Sequence, residues 1–209
     1  VGISLGIVAG HISNNIANKQ LMSIFTPKER ARIEKGISTS QVVDLGLSVK
    51  WAGWNVDATV PEGYGGYYAW GETEKKDYYD WSDYKWCEDG LFSMKKYCDS
   101  DYYGTKDKKN SLEPEDDVAH VKWGGNWRMP TRAEQQELRE KCKWERTTLN
   151  GVKGYKVTGP NGNSIFLPAA GYKNGSDVYS AGSGGYYWSK TLSFVSNKAS
   201  YWRFYSSSV

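Results

Sequence analysis

Between Gly53 and Asn110 the chain carries almost no aliphatic run, yet it is dense in Trp, Tyr, Gly and charge. Neither the 3.6-residue apolar period of a helix nor the two-residue period of a strand is present there. The segment, clearest from Tyr78 to Lys109, is therefore expected to be long ordered loop. Loops of that length inside a compact domain are usually functional or a signature of the fold. What holds them must be aromatic, because the 209 residues include ten Trp and sixteen Tyr. Rigid flat side chains bury much area each, so the core is expected to be small and ring-rich. The 23 Gly, with scattered Asn, Asp and Ser, mark many turns. The length suits one domain plus an appendage.

The formal net charge of +3 sits entirely in residues 1–41. Residues 42–209 are neutral and contain no Lys/Arg block, so a nucleic-acid partner, which needs a basic field on a folded face, is not expected. Cys87, Cys98 and Cys142 form no C-x-x-C pair, which argues against structural zinc. Cys87 and Cys98 could pair after export, leaving Cys142 odd; three free or buried thiols is the equal alternative. No segment is long enough to insert in a membrane. Val1 to Ala9 is apolar but short and has no charged region before it, unlike an intact signal peptide.

Residues 1–41 lack Trp and Tyr and read as an arm; residues 42–209 read as one domain. In the arm, Thr26-Pro27-Lys28-Glu29 is a capping box that predicts a helix over roughly 27–35. So short a helix is marginal alone and needs a partner surface. In the domain, Val43, Leu45, Leu47, Val49 and Trp51 alternate as in a strand. Ser111-Leu112-Glu113-Pro114 opens a short helix to about His120, and Thr131-Arg132-Ala133-Glu134 caps another to about Cys142. Strands follow over 155–158, 164–167, 186–189 and 200–205, with a turn at Gly159-Pro160-Asn161-Gly162. The expected class is α+β with loops dominating.

Several blocks, VDLGLSVKWA (43–52), YYAWGET (67–73), DDVAHVKWGGNWRMPT (116–131), NGVKGYKVTGPNGNSIFLPAAGY (150–172) and GYYWS (185–189), resemble the Fibrobacter succinogenes major paralogous domain. The resemblance implies a C-type-lectin-like fold: two small antiparallel sheets, two helices, and long loops that bind. Such domains continue to a terminal strand ending Val-Arg-Pro-Val, whereas this chain runs to Tyr205-Ser206-Ser207-Ser208-Val209. The block from Phe25 to Ile37 resembles a linker helix of phage tail fibres, which implies a homotrimer through the arm. Some domains of this kind are varied at adenine-containing codons by diversity-generating retroelements.

Seven of the last 21 residues are Ser, mixed with Tyr201, Tyr205, Phe194 and Arg203, a composition shared with antibody-like paratopes. Alternation in 200–205 places Trp202 and Phe204 on one side and Tyr201, Arg203 and Tyr205 on the other. With the first pair inward, the second set faces out, and Tyr and Arg are hot-spot types. Tyr187 and Ser189 are expected beside them, with Tyr186 and Trp188 inward. Ser193, Phe194, Ser196, Asn197 and Ser207 complete the expected ligand-binding set.

Glu113-Pro114-Glu115-Asp116-Asp117 lacks the Asn and the later Trp-Asn-Asp of sugar-binding lectins, and acids at a helix start are favoured by its dipole. No cofactor or metal is expected; structural calcium elsewhere, on Asp and carbonyl oxygens, stays open. His11 and His120 have no metal-ligand spacing. Gly182-Ser183-Gly184-Gly185 lacks the Gly-Lys-Ser/Thr of a phosphate loop. Trp127 to Thr131 resembles a block in formylglycine-generating enzymes, without a reactive-cysteine site. The expectation is a non-enzymatic binder of a cell-surface receptor, protein or glycan, on a phage tail fibre (virion). The alternatives are a secreted or surface-anchored bacterial adhesin and, third, an enzyme, which predicts a deep polar pocket with perturbed ionisation.

Overall fold

A computed structural model describes residues 26–34, 37, 41–193 and 198–205. The architecture is α+β, with small antiparallel sheets and few helices. Helix α1 spans Pro27–Glu34. Its capping box forms: Thr26 N–H and Oγ1–H both donate to Glu29 Oε2, at 2.7 and 2.8 Å, while Glu29 N–H donates back to Thr26 Oγ1. Ile37, just beyond, is buried with Leu149 and Phe166 and ties the end of the arm to the domain's central sheet.

The alternation from Val43 to Trp51 is correct in burial but not in backbone. Val43 and Leu45 are buried and Leu47 and Trp51 pack on the same core, but only β1 (Val42–Val43) and β2 (Trp51–Ala52) pair as strands. Between them the chain turns at Gly46, with φ +73°. Asn161 and Asn163 side-chain amides both donate to Asp44 O, at 2.9 Å. Turn residues from the 159–163 loop thus replace ladder partners.

The loop expected from Tyr78 to Lys109 is present, with only isolated bridges within it. Its inner side is ring packing: Trp70 and Trp86 meet Tyr97 edge-on at 5.1 and 5.8 Å, above Leu112 and Leu192. A 3-10 turn (Pro114–Asp116) and α2 (Val118–Trp123) follow where a single helix was expected. Asp117 divides them by capping α2.

Helix α3 (Arg132–Lys141) starts at the capping box of Thr131 and Glu134. Arg128 grips Glu134 with two nitrogens, at 2.5 and 2.8 Å, and holds its carboxyl below the usual glutamate range of about 4.5. A lowered folded value means this stabilisation is complete above that range and is lost as pH falls through the folded value. Glu134→Gln is expected to cost about 1–2 kcal/mol at pH 7. The gap to the unmodified protein should close toward pH 2 in urea titrations; a pH-independent gap would contradict this account.

Three strands, β3 (Lys143–Leu149), β4 (Val152–Thr158) and β5 (Ser164–Pro168), form an antiparallel meander. The hairpin β6 (Tyr172–Asn174) and β7 (Asp177–Tyr179) precedes β8 (Gly184–Leu192) and β9 (Ala199–Tyr205). Strands β3, β6 and β7 were not foreseen. The main core joins Leu138 of α3, Tyr155, Val157 and Ile165 of the meander, and Phe204 of β9.

All three cysteines are free. Cys98 is buried and donates to Ser100 O, and burial raises the Cys142 thiol to about 11.

Candidate binding face

Strand β8 is held on both edges. On one it pairs with β9: Tyr186 opposes Arg203, Tyr187 opposes Trp202 and Trp188 opposes Tyr201. On the other, Leu112 N–H donates to Lys190 O, Leu192 N–H to Asn110 O and Lys190 N–H to Pro130 O. From the loop, Trp70 Nε1–H donates to Ser189 O at 2.7 Å. Directly opposed residues of an antiparallel pair share a face, so this register decides what the sequence left to a choice of phase.

Trp202 and Phe204 point to the core, and Tyr201 and Arg203 are exposed, as expected. Tyr187 and Ser189 are corrected. Tyr187 lies opposite Trp202 and therefore faces in: its ring packs on Phe204, its hydroxyl donates to Pro168 O at 2.7 Å, and burial pushes its ionisation up. Ser189 is fully buried, and its Oγ accepts from Thr191 N–H at 3.1 Å across the bulge between Trp188 and Leu192. The expectation that Tyr186 and Trp188 turn inward is corrected likewise: they share the outer face with Tyr201, Arg203 and Tyr205.

Two further rings join them. Tyr172 and Tyr179, cross-strand partners in β6–β7, stack at 5.5 Å, and Tyr172 meets Tyr186 at 4.7 Å. Tyr186 contacts Tyr201 and Tyr205, and Trp188 meets Tyr201 edge-on at 5.7 Å. Trp188 is 38% and Tyr201 47% exposed, Tyr172 and Tyr179 40% and 43%. The ring directions are fixed by polar tips: Tyr186 Oη–H donates to Tyr205 Oη at 2.7 Å and Trp188 Nε1–H to Tyr68 O at 3.0 Å. Rings held in this way lose little entropy when a ligand covers them. Gly171 seats β6 beside β8: its N–H donates to Gly184 O, its φ is +72°, and a Cβ there would lie 2.1 Å from Tyr179 O.

A groove of about 1340 Å³ is lined by residues of this face and, beneath it, by inward-facing residues such as Tyr187 and Leu138. Tyr68, Tyr79 and Trp81 of the long loop line it together with Tyr172, Trp188, Tyr201 and Arg203, and it reaches Trp51 and Trp202 of the core. Backbone bonds between Tyr79 and Gly175, at 3.0 and 2.9 Å, join the loop wall to the β6–β7 tip.

Ser193 follows the end of β8, its N–H donating to Lys198 O at 2.8 Å, and does not line the groove. Phe194, Ser196, Asn197 and Ser207 lie outside the described residues. Sequence reasoning missed Tyr172, Tyr179, Tyr186 and Trp188. The Tyr-rich pattern was visible, but the phase of β8 and the existence of β6–β7 were not.

The acidic run gathers around a lysine. Glu113, Glu115 and Asp116 approach one another, but Lys96 Nζ lies among them at 2.5, 4.0 and 2.6 Å. Asp116 is buried, and although burial alone would raise it, hydrogen bonds from Lys96, Tyr97 and Lys85 hold its carboxyl below the usual range. None of these groups lines the groove. His120 Nδ1 is 3.2 Å from Trp127 O. No family model, curated protein or solved structure matches this chain.

Proposed function

We propose that this chain is a receptor-binding protein whose outer β8–β9 face, extended by β6–β7, is the contact surface. The observation that carries the reading is a continuous run of half-exposed rings, Tyr179–Tyr172–Tyr186–Tyr201–Trp188, with Arg203 beside it. Large rigid rings with polar tips, and Arg among them, are the residues that carry binding energy at interfaces. Rigid rings and a guanidinium are recognition groups, so the proposal is a binder and not an enzyme.

The scaffold is proposed to be C-type-lectin-like. Support comes from the five sequence blocks and from the arrangement of capped helices, small antiparallel sheets and a long ring-packed loop. The biological setting is proposed as a phage tail-fibre tip, trimeric through the arm and varied by a retroelement, with a bacterial surface adhesin as the alternative. The capping box of α1, in the block that resembles a tail-fibre linker, supports the first.

Deep sequencing of the coding locus in one source population tests both levels. Adenine-directed substitutions are expected at the outward codons of Tyr186, Tyr201, Arg203 and Tyr205, with Tyr187, Ser189, Trp202 and Phe204 fixed. Variation distributed evenly between the two faces would remove the retroelement and the face with it. Fixation of both sets would leave the adhesin, whose face is then tested by cell binding. Trp188→Ala and Tyr201→Ala are expected to weaken retention of the labelled chain on its host cells about tenfold or more, as hot-spot truncations do.

A further inference from the structure

We infer that the partner docked on this face presents an acidic polypeptide segment whose carboxylates meet Arg203, Lys173 and Lys198; this rests on the face being the binding surface. The argument is charge complementarity along the groove. Of the carboxylates lining it, Glu134 is taken by Arg128, and Asp80 accepts from Ser82 and Asp83 of its own turn. Lys76, a cation of the same wall, is consumed by Glu72 and Asp83. Arg203, Lys173 and Lys198 line the groove too, and among the described residues none of them has a carboxylate partner within ion-pair distance.

Two of these cations are held by rings instead. The Arg203 guanidinium lies 5.5 Å from the Tyr205 ring centre, and Lys173 Nζ lies 5.4 Å from that of Tyr79. A ring face attracts a cation without using its N–H donors. The guanidinium fork therefore stays available for a bidentate carboxylate. Arg203 is also opposed across the sheet by Tyr186, not by an acid. The nearest acid on β6–β7, Asp177, is exposed and does not line the groove.

Neutral side chains of the same segment would lie on Tyr201 and Trp188 beside Arg203, while Lys173, on the face of β6 opposite Tyr172, meets the segment from the Tyr79 wall. That alternation of ring and cation favours a polypeptide over a polysaccharide, since Tyr, Trp and Arg are the anchors of protein interfaces.

The test uses the full chain and three soluble probes: a random Glu–Tyr copolymer, a random Lys–Tyr copolymer, and polygalacturonate. Binding is measured by biolayer interferometry at 50 and 300 mM NaCl, for the unmodified protein and for Arg203→Glu, Trp188→Ala and, as an exposed control off the groove, Lys143→Glu. The proposal expects the Glu–Tyr copolymer to bind and the Lys–Tyr copolymer not to. It also expects affinity to fall about tenfold with salt and at least about tenfold in Arg203→Glu, as for complementary interfaces. Lys143→Glu should match the unmodified protein, and unchanged circular dichroism should show that Arg203→Glu folds. Binding of the Lys–Tyr copolymer that is lost in Trp188→Ala would overturn the acidic partner and leave the face standing. Glu–Tyr binding untouched by either Arg203→Glu or Trp188→Ala would overturn both. Binding of polygalacturonate alone, or of no probe, would overturn the acidic polypeptide, with the face then decided by the cell-binding experiment.

Discussion

Asp117→Ala is expected to lose about 3–5 kcal/mol of folding free energy, the largest effect of any single polar substitution considered for this fold. Asp117 is wholly buried, and three backbone N–H groups depend on it. Ala119 N–H and His120 N–H donate to Oδ1 at 3.1 and 3.2 Å, which starts α2, and Met129 N–H lies 3.0 Å from both oxygens. Removing the carboxylate leaves three donors without this acceptor, one buried and two partly buried. Asp117→Asn keeps one oxygen and is expected to cost less, about 1–2 kcal/mol, through the lost charge and the N–H facing Met129. Urea denaturation monitored by Trp fluorescence measures both. An alanine variant within about 1 kcal/mol of the unmodified protein would refute the clamp, since cap loss alone costs that much. The consequence reaches the site: Met129 precedes Pro130, whose carbonyl accepts from Lys190 and fixes the end of β8.

The second large effect is a contrast along one strand. Phe204→Ala is expected to cost about 3–5 kcal/mol, as for other buried Phe truncations. Phe204 is 2% exposed and packs on Tyr155 at 4.9 Å and on Trp202 at 5.2 Å. Arg203→Ala, its neighbour, should stay within about 0.5–1 kcal/mol, the range of surface substitutions. Tyr201→Ala should do the same, while binding follows the opposite order. Thermal melts of the three proteins, set beside their binding, test the face directly. Equal destabilisation at Arg203 and Phe204 would mean that β9 is covered on both sides.

Local chemistry was the most legible part of the chain. Thr26 with Glu29, and Thr131 with Glu134, were readable as capping boxes because both partners lie within one turn. The loop character of 78–109 was readable from the absence of either apolar period. Trp202 and Phe204 were readable as core because a strand alternates and only one phase of 200–205 carries two large apolar groups. The alternation at 43–51 gave the right burial with the wrong backbone, because contacts to Asn161 and Asn163, more than a hundred residues away, curl that segment out of strand geometry.

The site was only half legible, for a physical reason. In 184–189 both phases of the alternation hold aromatics: Tyr187 on one, Tyr186 and Trp188 on the other. Hydrophobicity cannot rank them, and the facing of β8 is inherited from its register with β9 across a connection of several residues. Strands β6 and β7, three residues each, carry Tyr172 and Tyr179 but are too short to show a period. By itself the sequence determined the starts of α1 and α3, the ring-packed loop, the α+β class and the outward set of β9. The tertiary structure alone decided that Tyr187 and Ser189 turn inward and that Tyr172, Tyr179, Tyr186 and Trp188 turn outward. Caps and periods are energies of neighbouring residues, whereas strand register is set by pairings between residues distant in the chain.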